Sequence, residues 1–172
     1  MSAAHLHLAL NHIPVLGTLF GILLLAYGHW RDQLSLQKAT LGFLVGIGAV
    51  AVAVYLTGEP AEEVVEGVPG VSHEALEVHE EWGWYAVLAS SATGVAALGA
   101  LLYGWIRQSL PRWTVRAVLV LALITGGIMA YTANLGGKVH HPELRSDATV
   151  VQSPDAGGQN NAEGEDESDE HR

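Results

Sequence analysis

Four stretches of this chain run without Asp, Glu, Lys or Arg for about the 20 residues a helix needs to cross a bilayer: 8–30, 39–57, 82–106 and 118–135. None shows the one-sided polar stripe of a helix packed in a water-soluble protein. The pattern predicts an all-α chain, a four-helix transmembrane bundle spanning 1–145. Small residues supply the packing faces. Gly17 and Gly21 form a GxxxG in span one, and Gly42, Gly46, Ala49 and Ala53 form a stripe in span two. Ser72 reads as the N-cap of the third helix, with Glu74 suited to the dipole of its first turn. A helix over 73–106 would be about 51 Å long against a hydrocarbon core of about 30 Å, so its first turns should project from the membrane. Gly136–Gly137 reads as a stop for the fourth helix.

Charge adds a direction. The chain is 49% hydrophobic and 15% charged, with a net charge of −10. Much of that charge sits in 146–172, an acidic, polar segment that reads as a disordered tail. Arg31 and Lys38 follow span one, and Arg107, Arg112 and Arg116 follow span three, whereas the opposite side is rich in glutamate. The positive-inside rule then places both termini outside, in the periplasm of a bacterium, for a multi-pass protein of the inner membrane. Tyr27, Trp30, Tyr103, Trp105 and Trp113 mark one interface, and Tyr55, Trp82, Trp84, Tyr85 and Tyr131 the other. So acidic a chain excludes nucleic acid as a partner. The absence of cysteine excludes disulfides, thiolate metal sites and covalent haem attachment.

Four antiparallel spans bring "HLHLALNHIP", "TGEPAEE", "SHEALEVHEEW" and "TANLGGKVHHPE" to one outer rim. Every histidine except His29 belongs to that side. Along the third helix, His73 shares a face with Glu77, Glu80 and Trp84, which continues into bulky apolar residues. His79 shares the small-residue face of Gly83, Ala86, Ser90 and Ala97, which should meet the bundle. His12 opens span one just before Pro14, a position a helix tolerates. His5, His7 and His73 read as solvated interface residues. His12 and His79 are the candidate cofactor ligands. His12, His79, His140, His141 and Glu59 are the candidate metal ligands, with Asn11, Asn134 and Glu80 in polar support.

This rim supports a haem b or divalent-metal site in a membrane component of respiratory redox chemistry, since imidazoles from different helices can ligate haem and His with carboxylate can hold zinc, iron or copper. Its partners would be the lipid bilayer and other membrane or periplasmic redox subunits. The alternative is a non-catalytic, cofactor-free membrane subunit, responsive to pH or docking a soluble partner through its acids. No P-loop, nucleophile elbow or HExxH marks an enzyme, and no mid-membrane charge marks a transporter.

"NHIP" at the opening of span one, together with the His79 region and the polar outer ends, resembles a family of uncharacterised bacterial four-helix membrane proteins whose first helix opens on an H-x-P motif. His12 and Pro14 match that motif. The resemblance covers about residues 5–145 and implies the fold, while carrying no biochemical role with it.

Overall fold

The structure, a computed structural model, describes residues 3–65 and 71–140. These residues form helices α1 (Ala3–Leu10), α2 (His12–Trp30), α3 (Leu34–Leu56), α4 (Gly58–Val65), α5 (His73–Arg107) and α6 (Arg112–His140). The helical bundle contains four helices long and apolar enough to cross a membrane. Their outer surfaces carry large exposed apolar side chains, among them Leu19, Phe20, Leu23, Val95, Leu102 and Ile124. A surface of this kind belongs against lipid, because a soluble monomer rarely exposes contiguous apolar area of that extent. The chain is a multi-pass membrane protein. The expected tail, 146–172, lies outside the described residues.

The first span keeps a helical course through Asn11, at φ −61° and ψ −26°, and loses one backbone bond at Pro14. Pro14 offers no N–H and its ring crowds the carbonyl four residues back, which is Leu10, the last residue of α1. A turn at Asn11 follows, tied by its N–H to the His7 carbonyl at 2.9 Å. At the other end, α2 closes with Gln33 N–H on the Gly28 carbonyl at 2.9 Å and Asp32 N–H on the His29 carbonyl at 3.4 Å. This is a Schellman closure in which Asp32, at φ 51°, takes the left-handed position usually given to glycine. The Ser72 cap forms as the sequence predicts, its Oγ accepting from Ala75 N–H at 3.2 Å.

Helices α2, α3, α5 and α6 pack in a ring, with α1 and α4 paired over one end. Gly17 lies against Ile47, and Gly21 against Leu44. The closest backbone approach joins α3 to α5: a Cβ added at Gly48 would lie 3.0 Å from the Ser90 carbonyl oxygen and 3.3 Å from Gly94 Cα. The stripe expected to pack in span two does not. Gly42, Gly46, Ala49 and Ala53 are exposed, and α3 instead turns Leu41, Leu44, Ile47 and Ala51 inward. The reason is complementarity. The glycine notches of α2 accept bulky side chains, so the large face of α3 fills them and its small face is left outside.

Inside the ring the two halves differ. Toward the arginine-bearing end Leu25, Leu41, Leu44, Ala97, Ala100, Val115 and Val118 form a solid apolar block. Above it lies a polar belt that periodicity did not single out. Thr93 and Thr125 hydroxyls meet at 2.8 Å, and Thr125 reaches the carbonyls of Ala89 (3.1 Å) and Leu121 (3.0 Å). Thr18 and Ser90 hydroxyls donate to the Met129 sulfur at 3.5 and 3.9 Å. These bonds join helices where the surrounding medium supplies no competing water. Thr125→Val should therefore lower bundle stability by about 1 kcal/mol, read as a shift in reversible unfolding in detergent.

Candidate functional site

Between the α1–α4 pair and the polar belt is a cavity of about 650 Å³. Its walls are mostly apolar, from Val15, Ala51, Val54, Leu76, Ala86 and Met129. Its polar groups include those of His7, Asn11, His12, Tyr55, Glu59, His79 and Glu80. Among the described residues no lysine or arginine lines it. The size suits a cofactor or small ligand, as does the composition of apolar walls with few polar groups.

Two imidazoles in it are fixed in the same manner. His79, on α5, is half-buried, and its Nδ1 lies 3.1 Å from the Thr132 carbonyl of α6. Its ring packs over Gly136, where a Cβ would come to 3.0 Å from Cε1. That contact explains a departure from the sequence reading: α6 runs straight through Gly136 and Gly137 to His140. Gly136 is small to admit an imidazole, and ends nothing. His7, on α1, places Nδ1 3.2 Å from the Val54 carbonyl and 3.3 Å from Thr57 Oγ1 at the end of α3. The Thr57 hydroxyl hydrogen is already used on Val54 O at 2.7 Å, so its oxygen accepts from His7.

A carbonyl can only accept, so in both rings the proton sits on Nδ1 and Nε2 presents a lone pair. Metal-binding histidines are held in this way, with one ring nitrogen donating to a backbone carbonyl so that the other points at the metal. The Asn11 Oδ1 is also enclosed and has no hydrogen-bond partner among the described residues. The two Nε2 lone pairs and the Asn11 Oδ1 are acceptors that a complementary guest can meet with an electron-pair acceptor or donor hydrogens.

The sequence-selected residues fall into three groups. His79, His12, Glu59, Glu80 and Asn11 all line the cavity, with His12, Glu59 and Glu80 exposed at its rim. Asn134 is exposed and does not line it. His140 closes α6, and His141 lies outside the described residues. His73 pairs with Glu77 on the surface at 3.3 Å, in keeping with its reading as a solvated residue. His7 is the residue sequence reasoning passed over. Its signal was periodicity: His7, Asn11, Pro14, Thr18, Gly21 and Leu25 recur at helical spacing, and Pro14, Thr18, Gly21 and Leu25 are the buried face of span one. Among the described residues, no three His, Asp or Glu side chains gather as a metal-binding group. No family model, curated protein or solved structure matches the chain.

Proposed function

We propose that this membrane protein carries a haem b in the histidine-walled cavity and serves as an electron-transfer component of a respiratory membrane. The observation that carries this reading is the pair of imidazoles, His7 and His79, each anchored through Nδ1 with Nε2 left over an apolar cavity of about 650 Å³. A bare divalent ion needs three or four protein ligands, and such a group is missing among the described residues. A haem brings nitrogen ligands of its own, so one or two imidazoles would suffice to hold it. When bound, it would supply one-electron chemistry. The chain's own contribution is to orient two rings, to keep water out with the apolar walls and to seal the other half of the bundle with the Leu25–Leu44–Val118 block.

The distribution of arginines favours the inner membrane of a bacterium, with the cavity and both termini on the periplasmic side, within reach of other membrane or periplasmic redox subunits. The test is direct. Protein purified in detergent from haem-replete cells should show a Soret band and about one haem b per chain, as expected for one pair of anchored imidazoles. A colourless preparation that also fails to take up added hemin would overturn the reading. If elemental analysis of that preparation then found stoichiometric zinc, iron or copper, the carboxylates Glu59 and Glu80 at the rim would favour the metal alternative.

A further inference from the structure

We propose that the cavity exchanges its guest with the bilayer, through a lateral opening between α2 and α6, so that its ligand is a membrane-dissolved amphiphile. The proposal rests on the haem reading only for which amphiphile that is; the opening follows from the helices themselves.

The other seams beside the cavity are bridged. His7, held on Val54 and Thr57, ties the first span to α3. The Tyr55 and Trp84 rings, 5.6 Å apart, join α3 to α5. His79 on the Thr132 carbonyl, and the Thr132 hydroxyl on the Trp82 carbonyl at 3.2 Å, join α5 to α6. The seam between α2 and α6 changes along its length. A Cβ added at Gly126 would lie 3.0 Å from Ile22 of α2, and Thr18 reaches Met129 close by. Gly137 follows Gly126 by eleven residues, about three helical turns, and so projects in nearly the same direction. A Cβ at Gly137 would meet nothing within 4 Å, although the residue lines the cavity. Ala130 and Ala133, on the same face between them, are exposed. The two helices touch at Gly126 and part above it.

The edges of this gap show what it opens onto. Leu8 and Leu16 on the first span and Ala133 on α6 line the cavity and are also exposed, which marks them as its mouth. Leu16 is 51% exposed and continues into the lipid-facing run of Leu19, Phe20 and Leu23. His12 adds a polar group at the same edge. The level is that of Tyr131, in the aromatic belt where headgroups meet acyl chains. A molecule with an apolar body passes such an edge without leaving an apolar medium, whereas a water-borne polar guest would first have to shed its hydration. Haem is of the former kind, an apolar macrocycle with polar carboxylates at one side.

The chain contains no cysteine, so a single introduced thiol carries a nitroxide at one chosen site. With the full chain in phosphatidylcholine vesicles, a nitroxide at Ala133→Cys should collide more with oxygen, which partitions into lipid, than with a water-soluble nickel chelate. Val95→Cys, on the lipid face of α5, sets the lipid pattern, and Glu77→Cys, on the exposed surface, sets the aqueous one. An aqueous pattern at Ala133 would overturn the proposal. Hemin supplied in the vesicle bilayer should enter the labelled Val95→Cys protein as fast as the unlabelled chain, and its uptake should be lost when the label sits at Ala133. Equal uptake by the two labelled proteins would also overturn the proposal. Failure of the unlabelled chain to take up hemin would overturn the haem reading instead, and the collision pattern would still decide the opening.

Discussion

His79→Ala is expected to weaken and shift the Soret band of the purified protein. The imidazole lost is one whose ring is seated over Gly136 and whose Nδ1 is held by the Thr132 carbonyl, and no other described side chain is braced to replace it. His7→Ala should also weaken or shift the band, because one of the two imidazoles that would hold the haem is gone. His12→Ala should leave the spectrum in place, since that side chain is exposed at the rim and lacks a backbone anchor of the kind that holds His7. Thr57→Val removes a supporting acceptor and keeps the ligand, so haem affinity should fall by roughly 10–100-fold. Retention of colour in His7→Ala with loss in His12→Ala would reverse the ligand assignment and restore the pair read from sequence.

Gly48→Leu is expected to be the most damaging single change to the bundle itself. Its side chain would be driven into backbone, the Ser90 carbonyl at 3.0 Å and Gly94 Cα at 3.3 Å, neither of which can rotate away. Helices α3 and α5 would have to separate along a closely packed seam, at about 1–3 kcal/mol or more. Gly46→Leu is the matched control. It lies two residues away with open space around its Cβ and should change stability by no more than about 0.5 kcal/mol. Unfolding in a graded detergent series separates the two, and equal losses would show that the α3–α5 seam is wrongly placed.

The contrast between these glycines shows where the sequence stops being informative. Gly42 and Gly46 form as good a small-residue motif as Gly17 and Gly21, yet only the latter pack inside. A motif of small residues states that a close approach is available. Which approach is used depends on whether the partner offers large side chains to fill the notch, and Leu44 and Ile47 do so from α3. His79 was legible for the opposite reason: its face continues into Ala86, Ser90 and Ala97, all buried, so one periodicity settled its direction. The acid-rich surface around Glu74, Glu77 and Glu81 was legible too, because those side chains are exposed as charge alone would demand.

The succession of charge-free stretches determined the four long helices, since only an internally bonded helix satisfies every peptide group in lipid. The spacing of arginines and glutamates determined which ends share a side. Proline and serine at particular positions determined a lost backbone bond and a cap, because these act through the local backbone. That His7 and His79 line one cavity is a matter of the tertiary structure. The two lie far apart in the chain, and the groups that orient them are main-chain carbonyls, Val54 and Thr132, on two other helices. A carbonyl is the same in every residue, so no letter of the sequence marks the ones that hold an imidazole in place.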